Sequence, residues 1–320
     1  MTTKEKVLEL FESSRDVYLS GEDIAHKLSI SRASVWKAVK ALQNEGYAID
    51  AVTNKGYCLS NQTDILSAQG IRKYLCSEIQ NMEICVTDIV ESTNAFVRDK
   101  ANIGKPEGYM VLANEQTAGR GRSSRSFFSP KDTGIYMSLL LRPGTYSAKQ
   151  AVRITTMAAV AICEAIEAVS GEKAEIKWVN DIFVRGKKFC GILTEGSFNL
   201  ESGLLDYAVL GVGINIYQPK DGFPDELSSI AGSVFQKKQN DVKNRLAATF
   251  LNRFYNYYSA ADQTDYVEQY RNRSFVIGKQ VALMSLNESK KAIVVGIDNE
   301  CRLLVKFPDG TEDCYSSGEI

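Results

Sequence analysis

One histidine, His26, serves all 320 residues. That scarcity argues against an imidazole-based zinc site and against a Ser-His-Asp triad. No apolar run approaches the roughly 20 residues that a membrane span needs. The start, Met1-Thr-Thr-Lys-Glu-Lys6, is polar and leads into an amphipathic stretch, so no export signal is expected. The seven cysteines are odd in number and never spaced as CxxC. Scattered reduced thiols in a cytoplasmic protein are therefore expected, rather than a disulfide framework. Charge bias is missing as well: 38 Lys+Arg against 39 Asp+Glu leaves the chain at −1. No nucleic-acid or membrane partner is advertised globally, and charge must be read locally. There is no internal repeat and no low-complexity stretch.

What is present is ordinary for a soluble chain with a sizeable core, 44% hydrophobic and 24% charged. The length suits two or three domains, and the patterning divides at about 64 and 270.

Residues 1–64 read as three short helices and a hairpin. Val7, Leu8 and Phe11 fall at helical spacing, Ser20 caps a helix to Leu28 with Glu22 and Asp23 in its first turn, and Ser31 caps a third. On that third helix Val35, Val39 and Leu42 form one apolar stripe, and Gly46 ends it. Asn54-Lys-Gly56 is a tight turn between two strand-like runs. The layout is that of a winged helix-turn-helix. From Ile24 to Asn44 there is no acidic residue, whereas Lys27, Arg32, Lys37 and Lys40 all fall there. Arg32, Trp36, Lys37 and Lys40 lie off the apolar stripe, which makes them candidates for DNA contact together with Ser31 and Lys55. The alternative is a solvated helix face in a protein-interaction domain.

Residues 65–270 read as a mixed α/β catalytic domain. Runs at 108–113, 135–141 and 206–214 look like strands, Ala151 to Val169 and Asp241 to Ala261 like long helices. Residues 271–320 alternate as short strands separated by turns at Asn287, Asp298-Asn299 and Asp309-Gly310, enough for a small β-barrel.

Three motifs carry chemistry. Glu115-Gln-Thr-Ala-Gly-Arg-Gly-Arg-Ser-Ser-Arg125 alternates glycines with arginines after a strand. Glycine lets backbone approach a ligand, and arginine supplies planar donor forks for phosphate or carboxylate. The alternative is a solvated basic loop. The loop lacks the GxxxxGK[ST] of a Walker motif, and neither it nor Gly211-Val-Gly213 has the third glycine of a dinucleotide fingerprint. Lys177-Trp-Val-Asn-Asp181 reads as one strand over about 175–184, with Arg185-Gly186 as a turn and a return strand from Lys188. Such a hairpin can bring Lys188 to Asn180 and Asp181, either to meet an anion or as an ordinary surface ion pair. Glu91-Ser-Thr-Asn94 opens a helix, where Ser92 or Thr93 is either its cap or a hydrogen-bonding group for a compact polar ligand.

In this order the segments resemble the bifunctional biotin–protein ligases, the biotin operon repressors of bacteria. The resemblance spans essentially the whole chain. It rests on residues 31–37, 54–57, 92–94, 116–122, 177–181, 188–191, 211–215 and the terminal Gly318-Glu-Ile. It implies a winged helix-turn-helix, a central ligase domain of the class II synthetase type and a small SH3-like barrel. The implied reaction joins biotin to ATP, with Mg²⁺, as biotinyl-5′-AMP. A lysine of a biotin carboxyl carrier domain, in acetyl-CoA carboxylase or a related carboxylase, then takes the biotinyl group. Biotinyl-5′-AMP would also act as corepressor, favouring a homodimer that reads operator DNA, with no membrane partner.

Carried over by residue, the resemblance gives Ser92, Thr93, Asn94 and Gln116 to the biotin head, and Arg120, Gly121 and Arg122 to the biotin tail and phosphates. Lys188 falls at the carboxylate and α-phosphate. Arg122, Arg125, Lys177, Asn180 and Asn215 fall on the nucleotide and Mg²⁺ side, and Asp181 orients or deprotonates the incoming lysine. No side-chain metal site is expected. Ser123-Ser124 stands where many relatives have a glycine and Val179 where proline is common, and the chain ends at Ile320, so contacts made further on by relatives would be missing. A ligand-sensing transcription factor without ligase activity and a lipoate–protein ligase remain the alternatives.

Overall fold

The structure, a computed structural model, describes residues 1–147, 150–260, 265–284 and 289–320. The chain groups into two compact bodies: residues 1–80 with 237–249, and residues 81–236 with 250–320.

In the first body, α1 (Thr3–Glu12), α2 (Gly21–Leu28) and α3 (Arg32–Asn44) each begin at a hydroxyl cap. Thr2 forms a capping box with Glu5, Ser20 accepts from the Asp23 amide and Ser31 from the Ser34 amide. Their apolar faces meet in a core of Val7, Phe11, Ile24, Val35, Val39 and Leu42, closed by Leu59. β1 (Ile49–Val52) and β2 (Gly56–Leu59) pair antiparallel as the expected wing. Gly56 has φ +101°, and a Cβ there would overlap the Leu19 carbonyl, so glycine is required. A short helix, α4 (Ala68–Arg72), follows.

Residues 237–249 join this body through charge. Asp241 accepts from Arg15 at 2.9 Å, Lys73 at 2.5 Å, Tyr74 at 2.8 Å and Asn244 at 2.7 Å. Glu12 accepts from Arg15 and Lys73, both at 2.8 Å. Two acids and two bases thus neutralise one another inside the body. Without its partners any one of them would be a costly buried charge.

The second body is built on a seven-stranded sheet of order β3-β4-β5-β9-β8-β7-β6. Its elements are β3 (Ile84–Val90), α5 (Thr93–Asn102), β4 (Met110–Gln116), β5 (Gly134–Leu141), α6 (Val152–Ser170), β6 (Glu175–Lys177), β7 (Asp181–Val184), β8 (Lys187–Phe198) and β9 (Leu205–Asn215). β3 and β4 run parallel and the other neighbours antiparallel. Every residue of the central β5 is buried. The alanine-rich α6 is buried along most of its length and is tied to β8 by a 2.7 Å bond between Thr155 and Thr194. After β9 come α7 (Asp225–Ser228), α8 (Val242–Ser259), whose residues 250–259 belong to this body, and α9 (Asp265–Arg273). No helix among the described residues is long and apolar enough to cross a membrane.

The run at 175–184 is not one strand. It is the hairpin β6–β7, with Lys177 opposite Asp181 and a cis peptide between Trp178 and Val179 in its turn. The turn is held by Trp178 Nε1 donating to the Cys301 carbonyl and Tyr270 Oη donating to the Val179 carbonyl. Both partners are distant in sequence, so local strand propensity overestimated the run. The helix expected to reach Ala261 ends at Ser259, and Ala261 lies outside the described residues, as does the turn at Asn287.

At the end of the chain, β10 (Gln280–Met284), β11 (Ser289–Ile297), β12 (Leu303–Lys306) and β13 (Glu312–Tyr315) form an antiparallel sheet in that order. A bridge between Met284 and Glu319 ties β10 to the segment after β13, drawing the expected barrel toward closure.

Candidate functional site

The floor of the site is where neighbouring strands lack side chains. Register places Gly191 of β8 opposite Gly213 of β9. A Cβ on Gly213 would come within 2.5 Å of the Phe127 ring, and one on Gly191 within 3.2 Å. A Cβ on Gly211 would overlap Asn94 Oδ1. The glycines therefore let Phe127 and Asn94 descend onto the sheet. The Gly-x-Gly of β9 fails as a dinucleotide motif yet has this close-approach role, which alternating glycines in a strand could have signalled.

Beside this floor the start of α5 meets β4 and β5. The Thr93 amide and Oγ1 donate to Gln116 Oε1 at 2.9 and 3.0 Å, while Gln116 Nε2 donates to Ser129 Oγ at 2.9 Å. Ser138 Oγ lies 2.8 Å from Thr93 Oγ1 and 2.6 Å from Asn94 Oδ1. Asn94 Nδ2 donates to Glu195 at 2.7 Å and to the Leu193 carbonyl at 3.3 Å. Asn94 is buried and its amide is engaged on both sides, so it shapes the cavity wall through bonds already made. Ser138 and Glu195, which the sequence did not single out, fix it there. Ser92 caps α5, accepting from the Ala95 amide at 3.5 Å, and also lines the cavity.

The basic loop is a tight turn. The Gly121 amide donates to the Arg125 carbonyl at 2.7 Å and the Phe127 amide to the Gly119 carbonyl at 2.8 Å. Ser123 and Ser124, in a short 3-10 turn over Arg122–Ser124, take left-handed φ of 53° and 61°. Arg122 Nη1 donates to Asn180 Oδ1 at 3.0 Å, and Arg125 meets Glu319 at 2.5 Å. Arg120 stands 3.9 Å from Glu91, both exposed.

Across the cavity, Lys188 Nζ lies 2.7 Å from Asp181 Oδ2, both partly buried. Asn180 Nδ2 donates to Asp181 Oδ1 at 3.1 Å and to the Ile192 carbonyl at 2.9 Å. Arg122, Asn180, Asp181 and Lys188 thus form one polar chain. Burial pushes the Cys190 thiol well above its usual range, so it is not a thiolate nucleophile at neutral pH. Burial likewise pushes the Tyr136 hydroxyl up to about 12.

The candidate ligand residues Ser92, Thr93, Asn94, Gln116, Arg120, Gly121, Arg122, Arg125, Lys177, Asn180, Asp181, Lys188 and Asn215 all line one cavity of about 400 Å³. That volume suits a compact organic ligand. Among the described residues no cluster of three or more His, Cys, Asp or Glu side chains could hold a metal ion. In the other body, Ser31, Arg32, Trp36, Lys37, Lys40 and Lys55 are all exposed. Lys55 sits 5.8 Å over the Tyr18 ring and Arg32 is 4.0 Å from Glu22.

A helix-turn-helix body and a body whose cavity is lined by arginine and lysine side chains point to a regulator joined to a protein-modifying ligase, and three family models agree. They are an HTH domain over residues 3–58, the Biotin/lipoate A/B protein ligase family over 86–215 and the Biotin protein ligase C terminal domain over 276–320. The chain belongs to the family of the bifunctional ligase/repressor BirA. It is 35% identical to that protein of Bacillus spizizenii over 99% of this chain and 98% of the relative. To that of Escherichia coli it is 26% identical, over 94% and 92%. A biotin protein ligase from Aquifex aeolicus, solved in complex with biotin and ATP, shares the fold with TM-score 0.61 at 22% identity. The match covers 74% of this chain and 97% of that one.

Proposed function

We propose that this protein is an ATP-dependent biotin–protein ligase that also represses transcription by binding operator DNA. The observation that carries the ligase reading is the convergence of Arg122, Asn180, Asp181 and Lys188 in one cavity beside the Thr93–Gln116 pair. A biotin carboxylate oxygen attacks the α-phosphorus of ATP, pyrophosphate leaves, and a mixed anhydride forms. The acceptor lysine's amine attacks the anhydride carbonyl, the C–O bond to AMP breaks, and an amide results. A free carboxylate is a poor acyl donor, and AMP supplies the leaving group.

The protein's part is positioning and charge. Thr93 and Gln116 present hydroxyl and amide groups to the ureido head, with Ser92 beside them, and Asn94 walls that end. Lys188 neutralises charge where carboxylate and α-phosphate meet, held in place by Asp181. Arg120 and Arg122, on a loop kept tight by Gly121, cover the biotin tail and the phosphates. Arg125, Lys177, Asn180 and Asn215 lie toward the nucleotide. Mg²⁺ would be held through the ATP phosphates, with Asn180 and Asn215 on that side of the cavity. Phe127 and Trp178 help keep water from the anhydride.

The basic outward face of α3 and the wing turn at Lys55 support operator binding. A homodimer promoted by biotinyl-5′-AMP would present two such faces to a two-fold operator. The seven free cysteines fit a cytoplasmic setting. The acceptor in this reading is the biotin carboxyl carrier domain of a carboxylase.

The test incubates the protein with biotin, MgATP and a biotin carboxyl carrier domain, and reads the acceptor's intact mass. One added biotinyl group, absent without ATP, is expected. No gain with biotin but a gain with lipoate would reassign the substrate. No gain with either would leave a ligand-sensing regulator.

A further inference from the structure

Ser138, on the central strand β5, is fully buried behind Thr93 and Asn94, two residues that line the ligand cavity. Register places it opposite Gly211 of β9, whose missing side chain leaves the room that Asn94 occupies. The Ser138 hydroxyl oxygen meets two others, Asn94 Oδ1 at 2.6 Å and Thr93 Oγ1 at 2.8 Å. Thr93 Oγ1 in turn lies 3.0 Å from Gln116 Oε1. Four oxygens are thus joined in a row by three contacts of hydrogen-bond length.

The row is one proton short. Both amides at its ends turn their oxygens inward. Asn94 gives its NH2 group to Glu195 at 2.7 Å and to the Leu193 carbonyl at 3.3 Å. Gln116 gives its NH2 group to Ser129 Oγ at 2.9 Å, and Ser129 donates its own proton to the Phe127 carbonyl at 2.9 Å. The Thr93 amide, 2.9 Å from Gln116 Oε1, requires the same orientation of Gln116. The end oxygens can only accept, so two hydroxyl protons, one from Ser138 and one from Thr93, serve three contacts.

Asn94 Oδ1 makes the shortest contact and takes the Ser138 proton. The Thr93 proton then has two claimants, Gln116 Oε1 at the cavity and Ser138 Oγ in the core. With that proton on Gln116, the buried Ser138 oxygen faces Thr93 without a donor, which is costly. Gln116 Oε1 already accepts from the Thr93 amide, so a ligand N–H can fill its remaining lone pair. The Thr93 hydroxyl is then released to Ser138, and the buried oxygen gains the donor it lacks.

We infer that Ser138 is a positioning residue that makes this end of the cavity select a ligand head carrying an N–H donor. It acts through Thr93: by accepting the threonine proton it leaves the Gln116 oxygen open to the ligand. The inference rests on the ligase reading above and deepens it. A cyclic urea offers such an N–H, whereas the dithiolane ring of lipoate has none.

The test is calorimetric titration of the parent, Ser138→Ala and Ser138→Cys in the full chain. The ligands are biotin and its two cyclic carbamate analogues, in which a ring oxygen replaces one or the other ureido N–H. Alanine removes the core acceptor, so the Thr93 proton stays on Gln116 Oε1 and closes it to the ligand. The parent should prefer biotin to at least one carbamate, and Ser138→Ala should shrink that preference by about tenfold. Cysteine, of similar size but a weak acceptor, should shift the preference the same way, which keeps the test decisive if the alanine variant does not fold. An unchanged preference overturns the assignment. If biotin and carbamate are weakened alike, Ser138 only packs. A parent that binds biotin and both carbamates equally overturns it too. A parent that binds no biotin is a separate result, which would fail the ligase reading itself and remove this inference with it.

Discussion

Lys188 Nζ and Asp181 Oδ2 stand 2.7 Å apart across the β7–β8 hairpin, inside the cavity that also holds Arg122. The pair is only partly buried, so its worth to stability is modest. Its value lies in where it holds the ammonium. Lys188→Ala should lower biotinyl-adenylate formation by about 10²–10³-fold and leave the melting temperature close to the parent's. Pyrophosphate release under single-turnover conditions measures this. Near-normal release would remove Lys188 from the reaction.

Gly211 and Asn94 are in closer apposition than any side chain at 211 would permit. Asn94 cannot easily retreat, because its amide is bonded to Ser138, Leu193 and Glu195. Gly211→Ala should therefore cost about 1–3 kcal/mol of stability through overpacking and weaken biotin binding. Calorimetric titration with biotin alone checks the second effect, and unaltered affinity would show that Asn94 does not shape the site.

Lys37 and Lys40 project from α3 away from the core stripe. The double substitution to alanine should weaken operator binding across sequences and reduce the salt dependence, on a log–log plot, by about two phosphate contacts. Adenylate formation should be unaffected. A slope equal to the parent's would mean that α3 does not meet the phosphate backbone.

Lys73 lies between Glu12 and Asp241. Burial opposes its charge, but hydrogen bonds and attraction from the two carboxylates outweigh burial and raise its pKa above 10.5. A raised pKa means that the folded state holds this proton more tightly than the unfolded chain. The stabilisation is thus fully present below the ordinary lysine value and fades as pH climbs through the folded one. Lys73→Met should destabilise by about 3–5 kcal/mol, and the gap to the parent should stay level from pH 7 to 9 and shrink only at higher pH. Urea unfolding across that range measures it. A gap already closing at neutral pH would contradict the assignment.

Much of this protein was legible in its sequence because the signals are local. Ser20 and Ser31 announce their helices by side chains that reach three residues on, and Val35, Val39 and Leu42 fix which face of α3 is buried. Asn54-Lys-Gly56 fixes the wing. The Gly-Arg loop and the hairpin bearing Lys188 stand out by residue type, and both line the same cavity. The remaining features depend on residues far apart in the chain. The Trp178–Asn180 turn exists because Cys301 and Tyr270 hold it, so β6 and β7 fold back where strand propensity alone read straight on. Asn94 is fixed in the cavity wall because Ser138, Leu193 and Glu195 hold its amide. Asp241 came to neutralise Arg15 and Lys73 although 226 residues separate it from Arg15. A local pattern can set an element and its buried side, but the partner of a buried charge or amide is chosen by three-dimensional proximity, which the fold alone supplies.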